Sequence, residues 1–183
     1  MNAKSMIKKA VQLFNSAVIV TTKKEPEKLA QIVCEIQPDA LQLHAELEPD
    51  EIEHIRKVIP TRMKLYSLLS VTGSVDELIE KAKALARSSL DAMILDTKAH
   101  GRSGGTGVTH NWQLSRKIRD AIYPFPMVLA GGINPQNVLD AIKIVRPYAI
   151  DVSSGVEENG AKSKALVKLL LSRVRSYAEA EAE

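Results

Sequence analysis

This sequence of 183 residues has a single cysteine, no long apolar run and little excess of charge. Because Cys34 has no second cysteine to pair with, no internal disulfide can form, which predicts a reducing cytoplasm. No apolar run approaches the ~20 residues that cross a bilayer, and no signal-peptide core is visible, so no membrane contact is predicted. The net charge of +3 is scattered, which argues against a nucleic-acid partner and weakly for a small anionic ligand.

Metal-binding and nucleotide-binding motifs are also missing. His54, His100 and His110 have no other histidine, cysteine or acid at ligand spacing, so neither a metal site nor a cofactor is predicted. The glycines between Gly104 and Gly107 are not followed by the Lys-Ser/Thr pair of a nucleotide phosphate loop. A mobile active-site flap is the preferred interpretation of this loop.

The most informative stretch covers residues 90–107 and reads LDAMILDTKAHGRSGGTG. Ala92 to Leu95 are apolar at every position, which is typical of a parallel strand covered on both faces. Asp96 would then lie at the C-terminal end of the strand, where α/β proteins bind their ligands. Position alone leaves two interpretations of Asp96 equally open, a functional carboxylate and an aspartate that caps backbone N–H groups of the loop.

The whole chain alternates between strand and helix patterns. Strands are predicted at residues 16–22, 39–44, 63–71, 90–96, 126–130 and 148–152. Helices are predicted at residues 1–14, 26–37, 49–59, from a Ser74/Glu77 capping box onward, from 110 or 111 to 123, 135–145 and about 163–177, with 178–183 as a frayed tail. This order predicts one α/β domain over residues 1–183, built on a parallel sheet with right-handed crossovers.

Small residues follow the last two predicted strands, Gly131 and Gly132 in one loop and Ser153, Ser154 and Gly155 in the other. Backbone N–H groups in such adjacent loops, with a helix N-terminus, form a phosphate site in many α/β barrels. The alternative is that the glycines only turn the chain. Asp151 is placed inside the last strand, where pocket electrostatics and a structural hydrogen bond are both open interpretations.

Four segments, in this order and spacing, resemble the phosphoribosylanthranilate isomerase family of tryptophan biosynthesis, which has a (βα)8 TIM-barrel fold. They are DALQLH (39–44), ILDTKAHGRSGGTG (94–107), AGGINPQNV (130–138) and RPYAIDVSSGVE (146–157). The resemblance covers nearly the whole chain and corresponds to strands three to eight of the family's barrel.

The resemblance implies an aldose–ketose isomerisation, the Amadori rearrangement of a phosphorylated sugar–anthranilate substrate, without a cofactor. By motif, Asp96 corresponds to the general acid. His44 corresponds to a pocket histidine that contacts the ligand, although a hydrogen-bonded histidine without a catalytic role is an open alternative. The other residues assigned to substrate or phosphate binding are Gly105, Gly131, Gly132, Asp151, Ser153, Ser154 and Gly155.

The family's general base is a cysteine in a KICG-like first strand, and its second strand supplies an arginine; neither segment is found in this sequence. Cys34 is predicted to lie in an outer helix and cannot replace that base. We therefore expect an incomplete barrel that lacks the first strand, first helix and second strand. The alternatives are a homodimer formed through open sheet edges and an open sheet acting as a non-catalytic phosphosugar-binding or assembly module.

Overall fold

The structure, a computed structural model, describes residues 16–96 and 111–180. The predicted helix at residues 1–14, the loop at 97–110 with its glycines, and residues 181–183 lie outside these ranges. Within the described ranges, no helix has both the length and the apolar character needed to span a membrane.

Strands and helices alternate through the described residues, and a short hairpin precedes the last helix. The strands of the main sheet are β1 (Val18–Thr21), β2 (Ala40–Leu43), β3 (Lys64–Ser70), β4 (Ala92–Asp96), β5 (Met127–Leu129) and β6 (Ala149–Ile150). The helices between them are α1 (Pro26–Ile36), α2 (Pro49–Val58), α3 (Val75–Ala86), α4 (Trp112–Ile122) and α5 (Val138–Val145). After β6 come a 3-10 turn (Ser154–Val156), the hairpin strands β7 (Glu157–Glu158) and β8 (Ala161–Lys162), and α6 (Lys164–Ala180).

The main sheet has the strand order β1-β2-β3-β4-β5-β6. Pairing is parallel between β1 and β2, between β2 and β3, and between β5 and β6. In parallel pairs joined by helices, all strands end at the same edge of the sheet. The predicted parallel α/β architecture with six strands is therefore confirmed for the described residues.

The described residues divide into two compact units, the first with residues 16–69 and 80–94 and the second with residues 70–79, 95–96 and 111–180. The helices of the first unit bury apolar residues at helical spacing, Leu29 and Val33 on α1 and Ile52 and Ile55 on α2. In the second unit, α4 buries Ile118 and Ile122, and α5 buries Val138, Ala141 and Val145. The 3.6-residue period of the sequence therefore determines which face of each helix is buried.

Several predicted boundaries differ from the structure for local reasons. Helix α1 ends at Ile36 because Gln37 adopts a left-handed conformation (φ 54°) and donates its N–H to the Val33 carbonyl. Helix α5 begins at Val138 and not at Pro135, since the Asn134 side chain accepts the N–H groups of Gln136 and Asn137 and holds a turn there. Helix α6 continues to Ala180, beyond the predicted end at 177.

The predicted capping box at the start of α3 is confirmed. The Ser74 N–H donates to Glu77 Oε2 at 3.1 Å, and the Glu77 N–H donates to Ser74 Oγ at 3.3 Å. Asn111 caps α4 by accepting the Gln113 N–H at 3.0 Å, as one of the two predicted starts requires. The β7–β8 hairpin was not predicted, although its Asn159-Gly160 turn, with both φ angles positive, is a strong hairpin signal.

Candidate active site

Asp96 is the last residue of β4, and its side chain is half-buried. The Ala92–Leu95 stretch before it is buried throughout, which confirms a strand covered on both faces. The Asp96 carbonyl accepts the Val71 N–H at 3.0 Å. Within residues 16–96 and 111–180, no donor reaches the Asp96 carboxylate. The strand therefore fixes the backbone of Asp96 at the C-terminal edge of the sheet.

The ends of β4, β5 and β6 lie side by side in the second unit. The Ala130 N–H donates to the Leu95 carbonyl at 2.9 Å, and the Asp151 N–H donates to the Leu129 carbonyl at 2.8 Å. Asp151 comes directly after β6 and is exposed, so its predicted place inside the strand is wrong by one residue. Strand β6 is short, since only Ala149 and Ile150 pair with β5.

The two predicted phosphate loops touch at Gly155. A Cβ atom on this residue would lie 1.8 Å from the Ile133 carbonyl oxygen and 3.0 Å from Asn134 Cα. Backbone therefore occupies the space of a side chain, and any residue larger than glycine would force the loops apart. The sequence predicts Gly155 in a phosphate loop, with a simple turn as the alternative, and the structure adds that glycine permits the close approach of two loops.

Hydrogen bonds organise the loop after β5. Gly131 and Gly132 have positive φ angles of 88° and 67°, which L residues with a side chain rarely adopt. The Gly132 carbonyl accepts the Asn137 side-chain N–H at 3.0 Å, and Asn137 Oδ1 accepts the Asn134 N–H at 2.9 Å. This loop is therefore held in one conformation by its own side chains.

In the loop after β6, Ser153 precedes the 3-10 turn that begins at Ser154. The Lys162 ammonium donates to the Ser153 carbonyl at 2.8 Å and to Ser153 Oγ at 3.2 Å, and it forms an ion pair with Glu157 at 2.6 Å. Sequence reasoning did not select Lys162. The Asn-Gly signal of the hairpin would have placed Lys162 opposite Glu157 and close to this loop.

His44 lies in the first unit and follows β2, one residue after the strand in which it was predicted. Its backbone N–H donates to the Thr21 carbonyl at 2.8 Å. Its ring Nδ1 is buried and has no hydrogen-bond partner among the described residues. A buried ring nitrogen without a protein partner is uncommon in folded proteins, which is consistent with the predicted ligand contact.

Cys34 lies on α1, in a helix as the sequence predicted, and it is exposed. It lines a cavity of about 620 Å³ together with Pro38, Asp39 and Arg62. Since Pro38 and Asp39 precede β2 and Arg62 precedes β3, this cavity lies at the N-terminal ends of the strands. Cys34 is therefore at the wrong end of the sheet to serve as the base of an active site at the C-terminal edge.

A second aspartate, Asp91, precedes β4 and has a full set of partners in the first unit. Its carboxylate accepts hydrogen bonds from Arg56 at 2.7 Å, from Lys64 Nζ at 2.8 Å and from the Leu65 N–H at 2.9 Å. Burial acts to raise the pKa of the Asp91 carboxyl, but the Lys64, Leu65 and Arg56 bonds outweigh it and hold that pKa below its ordinary value. Within the described ranges, no three His, Cys, Asp or Glu residues are grouped to hold a metal ion.

Comparison with known proteins extends the motif resemblance. The model of the N-(5'-phosphoribosyl)anthranilate (PRA) isomerase family matches residues 2–173 of the chain. The chain belongs to the PRA isomerase family. The relative from Methanothrix thermoacetophila, named N-(5'-phosphoribosyl)anthranilate isomerase, is 37% identical over 163 residues, which cover 89% of this chain and 74% of the relative.

Two solved PRA isomerases are similar to this chain in structure. A dimeric phosphoribosylanthranilate isomerase from Thermotoga maritima, solved as monomers, has a TM-score of 0.75 and 29% identity, covering 96% of this chain and 80% of that one. A second, in complex with reduced 1-(o-carboxyphenylamino)-1-deoxyribulose 5-phosphate, has a TM-score of 0.73 and 28% identity, again covering 96% and 80%. The family prediction is thus confirmed, and the fold is TIM-barrel-like with six parallel strands.

The predicted site residues of this PRA isomerase family member divide into three groups. Asp96, Asp151 and the two small-residue loops belong to the second unit, where the ends of β4, β5 and β6 are adjacent. His44 belongs to the first unit. Gly105 and the predicted flap lie outside the described residues.

Proposed function

We propose that this chain carries the PRA isomerase reaction, with Asp96 as its general acid and the loops after β5 and β6 as its phosphate site. The observation that carries the proposal is the adjacency of the β4, β5 and β6 ends, which places Asp96 two strands from the Gly155 loop. Neighbouring strands are ~4.8 Å apart, so this separation is on the order of 10 Å. A carboxylate and a phosphate loop at that distance fit the ring oxygen and the 5-phosphate of one phosphoribosyl group.

The chemistry assigned to Asp96 is proton transfer to the furanose ring oxygen. Protonation makes that oxygen a leaving group, so the ring opens and the anthranilate nitrogen forms a Schiff base. Removal of the C2' proton then gives an enolamine, which becomes the ketone of the 1-deoxyribulose 5-phosphate product. A carboxyl group at the C-terminal edge of the sheet, where ligands bind, is placed to act as this general acid.

The phosphate assignment rests on the two loops that meet at Gly155. Two chain segments approach closely there, and one of them enters a 3-10 turn, whose first N–H groups have no acceptor within the turn. The reduced aminodeoxyribulose 5-phosphate bound to the solved relative carries such a phosphate. The roles of His44 and Asp151 as ligand contacts stay predictions from the resemblance.

An isomerase assay that follows anthranilate fluorescence tests the proposal. The 183 residues contain no KICG-like segment, and the motif resemblance assigns the six strands to strands three to eight of the family's barrel. The assay is therefore run with the chain alone and with a KICG-type β1-α1-β2 segment added in trans. Turnover in either arm supports the proposal. Inorganic phosphate binding without turnover in both arms would favour the non-catalytic phosphosugar-binding module.

We also propose that two copies associate through the open edge at β1. Val18 and Val20 lie on one face of this edge strand and are 44% and 58% exposed, and β1 pairs only with β2 among the described residues. Exposed apolar edge strands favour association, and the solved relative from Thermotoga maritima is described as dimeric.

Light scattering tests this association directly. We expect a mass of two 20.1 kDa chains for the wild type and of one chain for Val20→Lys. Val58→Lys, at a 40% exposed valine on α2, is the matched control and should stay dimeric. A monomeric wild type at the concentrations of the assay would contradict the proposal.

A further inference from the structure

The hairpin after the 3-10 turn brings Lys162 back to the start of the candidate phosphate loop. Strands β7 and β8 pair antiparallel, with Glu157 opposite Lys162, around the Asn159-Gly160 turn. The Ser163 N–H then donates to the Val156 carbonyl at 2.8 Å, which anchors the return strand to the 3-10 turn. The hairpin therefore fixes the distance between Lys162 and Ser153 although nine residues separate them.

The Lys162 ammonium uses its three donors on three acceptors. These are the Ser153 carbonyl at 2.8 Å, Ser153 Oγ at 3.2 Å and Glu157 Oε1 at 2.6 Å. An ammonium has three N–H groups, so this set leaves no further donor for a ligand. The carboxylate of Glu157 also compensates its charge. Lys162 is therefore placed to hold the loop and not to bind an anion itself.

We propose that Lys162 is a positioning residue for the phosphate site, acting through Ser153. Lys162 binds both the carbonyl and the hydroxyl of Ser153. It therefore fixes the orientation of the peptide unit that carries the Ser154 N–H, and with it the start of the segment that carries the Gly155 N–H. Charge-assisted hydrogen bonds are stronger than neutral ones, so the loop is held in one conformation before a ligand arrives. This inference rests on the proposed phosphate site.

The consequence is an effect on binding and not on the chemical step. A loop that must be ordered by the ligand binds more weakly, since the ordering cost is subtracted from the binding free energy. Proton transfer from Asp96 takes place once the substrate is bound, so its rate at saturation should not change. We therefore predict that loss of the Lys162 hydrogen bonds raises KM, weakens phosphate binding and leaves kcat unchanged.

Three variants test this role, Lys162→Met, Lys162→Arg and the control Lys164→Met. Methionine keeps the unbranched stem and removes the donors, whereas arginine keeps the charge and several donors. Lys164 is a nearby lysine whose side chain has no hydrogen bond or ion pair within residues 16–96 and 111–180. The readouts are the dissociation constant of inorganic phosphate by calorimetry, the amide shifts of Ser154 and Gly155 by NMR without ligand, and KM and kcat in the arm of the isomerase assay that turns over.

We expect Lys162→Met to raise the phosphate dissociation constant and KM about 10-fold with kcat unchanged, corresponding to about 1.4 kcal/mol. Its Ser154 and Gly155 amide signals should shift. Lys162→Arg should recover most of the affinity, and Lys164→Met should match the wild type. Phosphate binding by the wild type with equal affinity in Lys162→Met would overturn the role of Lys162 alone. A wild type that does not bind inorganic phosphate would overturn the phosphate site as well.

Discussion

Two aspartates at opposite ends of β4, Asp91 just before the strand and Asp96 at its end, have different environments. Asp91, before β4, accepts three hydrogen bonds, two of them from cations. Asp96, at the end of β4, receives none from the described residues on its carboxylate. A carboxylate surrounded by fixed donors is stabilised as an anion and would lose those bonds on accepting a proton. No described donor fixes the orientation of the Asp96 carboxylate.

This difference separates stability from chemistry within one strand. In parallel α/β folds the C-terminal ends of the strands carry the functional groups, while the opposite ends contribute to stability. Arg56, which binds Asp91, also donates to the Met63 and Ser89 carbonyls and so joins the two loops that precede β3 and β4 in the first unit. We therefore expect a substitution at Asp96 to change catalysis and leave stability unchanged. A substitution at Asp91 should change stability and leave catalysis unchanged.

The largest expected effect is on catalysis at Asp96. Asp96→Asn should lower kcat about 100- to 10,000-fold, because an amide cannot donate the proton that opens the ring. The free energy of unfolding should stay within about 0.5 kcal/mol of the wild type, since no described donor is lost. Anthranilate fluorescence and urea denaturation measure the two quantities. If Asp96→Asn turned over substrate at the wild-type rate, Asp96 would be excluded as the general acid.

The next effect is on stability at Asp91. Asp91→Asn keeps the shape of the side chain but weakens its bonds to Arg56 and Lys64, so the free energy of unfolding should fall by about 2 kcal/mol. Urea denaturation measures this loss, and kcat should be unchanged. The matched control is Asp120→Asn on α4, which pairs with Arg116 and Arg119 at the surface. Because Asp120 is 48% exposed, its loss should cost less than about 1 kcal/mol.

The sequence predicted Asp96 and did not predict the partners of Asp91. Asp96 follows four consecutive apolar residues, and such a local pattern identifies a buried strand and its end. The partners of Asp91 are 35, 27 and 26 residues away, on segments whose register only the folded sheet determines. Long-range side-chain pairs of this kind have no local signal.

The same limit applies to the candidate phosphate site. The phosphate-binding role of the small residues in both loops was predicted from their position after two adjacent strands and from the family resemblance. The contact between Gly155 and the Ile133 carbonyl was not, because it depends on how two loops pack. The 3-10 turn and the hairpin contain only two or three residues per element, which is too short for a periodic pattern.

A smaller effect, on the free energy of unfolding and on KM, is expected at Gly155, which lies near the C-terminal edge of the sheet. Gly155→Ala places a methyl group against the Ile133 carbonyl, so the loops must move and the free energy of unfolding should fall by about 1 to 3 kcal/mol. KM should rise at least about 10-fold, corresponding to about 1.4 kcal/mol. The control is Gly160→Ala, where nothing lies within 4 Å of the new methyl group and only the positive φ is unfavourable. Equal KM values for both variants would show that the loop contact does not shape the site.

The smallest expected effect is the pH dependence of the Asp91 contribution. The pKa of Asp91 is lowered in the folded chain, so its contribution to stability is complete above the unfolded carboxyl pKa of about 3.9. That contribution decreases as the pH falls through the lower pKa of the folded state. Asn resembles a protonated aspartate, so the unfolding free energies of the wild type and Asp91→Asn should differ at pH 7 and converge below about pH 4.

Other carboxyls do not obscure this difference. The pKa of Glu25 is lowered to about 2, chiefly by its hydrogen bond from Lys28, and the pKa of Glu53 is lowered by the bonds from Ser89. Both groups are the same in the two proteins, so their pH dependence cancels when one unfolding curve is subtracted from the other. Urea denaturation at pH 7, 5, 4 and 3 measures the difference. A gap that stays constant or widens toward pH 3 would mean that the Asp91 charge does not stabilise the N-terminal end of β4, and the contrast with Asp96 would then rest on packing alone.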